Sequence, residues 1–379
     1  MAVRPKLALV LSGGGARAAY QAGVLAAIAE WLPPATPTPF VIVCGTSAGA
    51  INAAAIAAGA KNFAAATRRL CELWSTLQAS DIYQTDAWQL LGQGGRWLVS
   101  FVPTWRHRRP ASLLDNAPLA GFLTRNIPFG AVQSSLDAGV LDSFAVTAMS
   151  YRSGMSVTFC QAQPGLLLWE RSQRLGIPAT IDVRHLMASS AIPFVFPPAP
   201  IDGEYFGDGA VRQVAPTGPA LHLGADRILV IGAARSTVNH NSPASPTPPS
   251  MAQIGGQVLA SIFTDALGTD LEKVRLVNVA VRQIPSERLT ASPVPLRDVD
   301  LAVLTPSIVL EDIALAHAGD LPKSMRVLLR GVGATHPGGG ALLSYLLFAP
   351  GFCKALIDLG RSDAVAHRAE VEALLAGTC

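Results

Sequence analysis

Two residues in this chain stand where chemistry could be done: Ser47 in Gly45-Thr46-Ser47-Ala48-Gly49, and Asp208 between Gly207 and Gly209. A serine flanked by small residues as G-x-S-x-G can sit on a sharp strand-to-helix turn, clear of the backbone, where its hydroxyl can attack a carbonyl. Five-residue matches arise by chance in glycine-rich chains, so the setting decides. The apolar run "VIVC" precedes the serine and an alanine-rich stretch follows it, the strand and helix that a nucleophile elbow requires. The serine also needs a base. Asp208 follows Tyr205 and Phe206, and a carboxylate kept ionised but poorly solvated beside such side chains could take the proton. An ordinary Asp-Gly turn accounts for the same residues. None of the seven histidines occupies a recognisable catalytic turn, and each reads as structural or solvated.

The loop "SGGGARA", residues 12–18, is the third feature. Gly13, Gly15 and Ala18 fit the dinucleotide pattern G-x-G-x-x-A, but the second strand closes on Cys44, where a ribose-binding acidic residue is required. The Gly-Lys-Ser/Thr of a P-loop is missing as well. Two readings stay open. Gly13, Gly14 and Gly15 can turn backbone N–H groups toward one point at the positive end of a helix, forming an oxyanion hole, or they can simply make a tight βα turn.

These groups need a frame. "LALVL" reads as a buried strand, Ala18–Leu32 as a helix stopped by Pro33-Pro34, Phe40–Cys44 as a second strand and Ala48–Gly59 as a second helix. That alternation predicts an α/β fold with a mainly parallel central sheet flanked by helices. Further strands are expected at 143–150, 154–160, 227–233 and 299–307, and a helix over "QVLASIFTDALGTDLEKVRLVN", 257–278. Residues 236–250 are rich in Ser, Asn and Pro and read as a linker or loop. The expected organisation is a catalytic domain over 5–235 and a mostly helical C-terminal extension, 251–379, packing on it.

Bulk properties narrow the function. Half the residues are apolar and 15% charged, so the chain can bury a large core. A net charge of +3 without a basic, aromatic-interleaved stripe argues against nucleic acid. Five scattered cysteines, none paired as CxxC, suggest a reducing compartment and no structural zinc. No His, Asp and Glu cluster has metal-ligand spacing, and no cofactor is expected. Residues 41–60 carry no charge and are long enough to span a bilayer, but glycines, Thr46, Ser47 and Asn52 interrupt them. Strand followed by buried helix fits better.

Taken together, the three motifs resemble the patatin-like phospholipases. That family carries G-G-G-x-R/K, then G-x-S-x-G close behind, then D-G-G/A further on. Here these read Gly13-Gly14-Gly15-Ala16-Arg17, Gly45-Thr46-Ser47-Ala48-Gly49 and Asp208-Gly209-Ala210. "ASSAIPFVFPP" and "LHLGADRILVIGA", on either side of the aspartate, look like family segments too, and the likeness runs over about residues 5–233. The C-terminal part, "LLSYLLFAPGFCKALIDLGRSDA" included, is similar to the extension of bacterial members.

The resemblance implies a serine lipid acyl hydrolase with Ser47 as nucleophile and Asp208 as its base, without a catalytic histidine. Backbone N–H groups of the Gly13–Gly15 loop would hold the oxyanion and Arg17 would fix that loop, with Gly45, Gly49 and Gly209 in supporting turns. Phospholipid or another acyl ester would be the substrate. Two other functions share these features: an acyltransferase using the same acyl-enzyme, and a non-catalytic lipid-binding protein. Residues 94–109, "GGRWLVSFVPTWRHRR", join Trp97, Phe101 and Trp105 to Arg106, Arg108 and Arg109. They fit peripheral contact with an anionic membrane, or equally a core helix with a solvated basic end. With no signal or anchor visible, a cytoplasmic location is expected.

Overall fold

The computed structural model describes residues 5–84, 112–166, 168–234, 248–290, 296–336 and 338–377. Its centre is a mixed sheet in the order β10-β9-β1-β2-β3-β4-β6-β5, with β7 and β8 branching from β3. The strands are β1 (Leu7–Leu11), β2 (Ile42–Thr46), β3 (Ser143–Ser150), β4 (Ser156–Ala162), β5 (Glu170–Arg171), β6 (Arg174–Pro178), β7 (Ala199–Ile201), β8 (Glu204–Asp208), β9 (Arg227–Ile231) and β10 (Asp300–Leu304). β1 pairs in parallel with both β2 and β9, β9 with β10, and β2 with β3. Every residue of β1 and β2 is buried. Parallel strands with helices on both faces have no wet side, which is why "LALVL" and "IVCGT" do not alternate apolar with polar.

Helix α1 (Ala19–Glu30) follows β1 after one turn of 3₁₀ helix, Gly15–Ala18. Helix α2 (Ala48–Ala58) follows β2 directly. Neither has an amphipathic stripe. All of α1 but Glu30 is buried, because α3 (Phe63–Thr76) packs on one side and the helix Pro350–Ala366 on the other. Each fully buried Leu, Ile or Val in such a helix contributes roughly 1.5–3 kcal/mol over its exposed state. Residues 41–60 are therefore a core strand and a core helix. No single helix among the described residues is long and apolar enough to cross a membrane.

Several boundaries differ from the sequence reading. β2 begins at Ile42, where pairing with Ala8 of β1 begins, and runs on to Thr46. β4 starts at Ser156 because Gly154, at φ +67°, makes the turn out of β3. The helix expected over 257–278 is longer and broken: Met251–Ala260, a π-helical turn Ser261–Asp265, then Ala266–Val281. The expected linker lies outside the described residues up to 247. Beyond it the chain returns to the same sheet, since β10 bonds to β9 along its full length.

Candidate active site

Strand register brings the three motifs together. Leu11 pairs with Gly45 and Thr46 with Thr147, so the loop leaving β1, the residue after β2 and the end of β3 lie side by side. β8 runs antiparallel to β3 and sets Asp208 opposite Ala148. All three motifs thus sit at the carboxyl ends of the parallel strands, beside the point where the chain switches from β1–β2 to β1–β9, the usual ligand position in open α/β sheets.

Ser47 occupies the corner between β2 and α2 with φ 56° and ψ −131°. A positive φ costs a residue other than glycine on the order of 1–3 kcal/mol, so neighbours must hold it. The Ser47 N–H donates to Ser189 Oγ at 2.8 Å, and Ser189 Oγ donates to the Thr147 carbonyl at 2.6 Å. The corner also needs close backbone approach: a β-carbon on Gly49 would collide with the carbonyl oxygens of Leu11 and Ser12. Gly45 packs against the first turn of α2, and Gly209 against the Thr147 carbonyl.

Asp208 is fully buried at the end of β8. Its Oδ2 accepts from Ser47 Oγ at 2.6 Å and its Oδ1 from the Ala210 N–H at 2.9 Å. Burial raises its pKa from 3.8 to about 7, and the bonds from Ser47 and Ala210 oppose only part of that rise. A carboxylate tuned near neutrality and bonded to a hydroxyl can accept that proton as the oxygen attacks. Among the described residues, no histidine hydrogen-bonds to either. His185 pairs with Asp182, His317 with Asp320, and His222 stacks on Trp169.

The glycine loop lies against the serine, since a β-carbon on Gly13 would be 3.0 Å from Ser47 Cβ. Gly15 has φ +56° and opens the 3₁₀ turn that leads into α1. Among the described residues, none accepts a hydrogen bond from the N–H groups of Gly13, Gly14 or Gly15. Arg17 makes its bonds elsewhere. It is buried with its guanidinium 3.9 Å over the Tyr345 ring; Nε donates to Ser344 Oγ at 2.8 Å and Nη2 to Glu311 Oε1 at 2.7 Å. The loop is thereby fastened to residues 311–345.

Sequence reasoning missed Ser189, Gln21 and the role of Asn52. Gln21 Nε2 donates to the carbonyls of Ser12 and Ile231, and Asn52 Nδ2 to Ala18 O and Gln21 Oε1. Trp74 Nε1 completes the network on Asn52 Oδ1. Asn52 reads in sequence as an interruption of an apolar helix. Uncharged polar residues inside all-apolar helices are the signal, because burying them is costly unless they are bonded.

Ser47 lines a narrow cleft whose walls are almost wholly apolar, including Ile51, Leu70, Trp74, Leu123 and Phe196. The aromatic and arginine segment 94–109, read as a possible membrane contact, lies outside the described residues.

The chain aligns over 99% of its length with human GIVD cytosolic phospholipase A2, solved with methyl γ-linolenyl fluorophosphonate, at 13% identity and a TM-score of 0.45. It spans 59% of that protein's length. VipD from Legionella pneumophila aligns over 99% of this chain and 67% of its own, at 11% identity and a TM-score of 0.33. ExoU from Pseudomonas aeruginosa, solved with SpcU, aligns over 89% and 70% at 15% identity and a TM-score of 0.27. A comparison with curated proteins gives no match. A sequence model described as patatin-like phospholipase matches residues 9–221, more than half of the chain and all three motifs, and the chain belongs to that family.

Proposed function

We propose that this protein is a serine lipid acyl hydrolase of phospholipase A, lysophospholipase or esterase type, working through a Ser47–Asp208 dyad. Asp208 takes the Ser47 proton as Oγ attacks the ester carbonyl. The N–H groups of the Gly13–Gly15 loop receive the oxyanion, each such donor typically supplying about 3 kcal/mol of transition-state stabilisation. The alcohol leaves with the proton from Asp208, and water, deprotonated by the same carboxylate, then hydrolyses the acyl-enzyme to the free acid. One observation carries this reading: a strained serine bonded at 2.6 Å to a buried carboxylate, at the wall of an apolar cleft. A cytoplasmic location with peripheral contact at a membrane face belongs to the same reading.

The test is a panel of acyl esters, lysophospholipids and phospholipids, with free acid as the product measured. Ser47→Ala should abolish hydrolysis, and Asp208→Asn should lower kcat by several orders of magnitude. Acyl transfer to an added alcohol or thiol in preference to water would favour the acyltransferase alternative. Equal damage from replacing any one histidine would replace the dyad with a triad.

A further inference from the structure

The cleft at Ser47 borders a second, more open cavity with which it shares lining residues. Both lie along one side of α2. Ala48, Ile51 and Ala55 line the first; Ala55, Ala58 and Gly59 line the second, which is open to solvent. α3 runs back alongside, giving Leu70 and Trp74 to the first cavity and Ala65, Ala66 and Arg69 to the second. Three residues line both: Ala55, Leu73 and Asn126. They form the partition. Asn126, last residue of the helix Ala117–Asn126, is pinned there, its Nδ2 donating to the Phe122 carbonyl at 3.0 Å and its carbonyl accepting from Arg69 Nη2 at 3.0 Å.

The chemistry changes across the wall. On the Ser47 side the groove is apolar, fit for an acyl chain and with little to bind a polar one. On the far side Lys61, Asn62 and Arg69 join the alanines, so that cavity meets water. Ala55 lies eight residues beyond Ser47, the residue that caps α2, a separation of about 12 Å at roughly 1.5 Å per residue along the helix. An extended chain of C–C bonds of about 1.5 Å advances ~1.3 Å per carbon. The distance from acylated serine to partition therefore holds a chain of about nine or ten carbons.

We infer that Leu73, with Ala55 and Asn126, ends the acyl-chain pocket and sets the chain length this protein prefers: medium, unbranched acyl groups of about eight to ten carbons. The inference rests on the hydrolase reading and adds a specificity-determining residue to it. Each methylene buried before the wall multiplies kcat/KM by about threefold to fourfold; carbons beyond it gain nothing or clash. Leu73→Ala joins the two cavities. Ala55→Leu thickens the wall from the opposite side and shortens the pocket.

The experiment measures kcat/KM for p-nitrophenyl esters from four to sixteen carbons with the full chain and both variants. The wild type should peak at eight to ten carbons. In Leu73→Ala the C16-to-C8 ratio should rise at least tenfold, and in Ala55→Leu the C8-to-C4 ratio should fall by a similar factor. Unchanged ratios in either folded variant overturn the partition. Ratios within one protein cancel any general loss of activity. Ser47→Ala separates the two claims: C4 hydrolysis that survives it defeats the hydrolase reading alone. Calorimetric titration of Ser47→Ala with C8 and C16 fatty acids then still tests the wall. Affinity should favour C8 while Leu73 is present and move toward C16 once Leu73→Ala is added; equal preference in both proteins would contradict it.

Discussion

Asp208 meets two opposed demands, burial and charge, and both have measurable consequences. Folded, its pKa is about 7 against 3.8 for an unperturbed carboxyl. The folded state thus holds the proton more tightly. The stability this contributes is fully present below about pH 4 and is lost as pH rises through 7. Under the proposed dyad, activity should run the other way, because only the ionised carboxylate takes a proton. The rate of a soluble ester should climb with pH to a plateau through an apparent pKa near 7. In thermal unfolding followed by circular dichroism, Asp208→Asn should melt several degrees above the wild type at pH 8, and much closer to it at pH 4. A variant less stable than wild type at pH 8 would show that the carboxylate is better compensated than its burial implies. Ser189 has no charge to tune. Ser189→Ala leaves the Ser47 N–H without its acceptor, so kcat should drop roughly tenfold and stability by about 1–3 kcal/mol, the usual cost of an unsatisfied buried donor. A kinetically unaltered Ser189→Ala would mean that the corner holds itself.

At the scale of elements, the sequence was legible where a run of one character was long enough to force one structure. "LALVL" and "VIVC" lead into β1 and β2, and the small-residue runs behind them into α1 and α2. The Gly-rich punctuation between them marks the glycine loop and the Ser47 corner. The short strands were not legible. β6, β7 and β8 contain Gly or Pro or span only a few residues, and long-range pairing with β4 and β3, not local propensity, makes them strands. Asp208 consequently read as part of a turn, whereas it closes β8 and faces Ala148 across the ladder. The break at Ser261–Asp265 had no visible signal either. There Phe263 turns against Gly13 and stacks on Tyr345 at 5.3 Å, a contact only the assembled fold supplies. Ser189 stood inside a segment noted for its family likeness, yet nothing local says that its hydroxyl supports a residue 142 positions away.

Over the whole molecule, the site depends on parts of the chain outside the matched family region. Residues 311–345 hold Arg17, β10 extends the sheet beyond β9, and the helix Pro350–Ala366 covers α1. We therefore propose that the C-terminal part is integral to the catalytic unit. A chain ending at residue 234 would leave Arg17 buried without its partners and α1 stripped of one side. It should be recovered unfolded or protease-sensitive; a stable, active fragment would contradict that view. The claim on which everything else rests is that Ser47 is the nucleophile, and it has a direct measurement. Intact-mass spectrometry after exposure to an alkyl fluorophosphonate should show one adduct per chain, mapped to Ser47 and absent in folded Ser47→Ala. An adduct of the same stoichiometry in that variant would place the reactive group elsewhere and contradict the account.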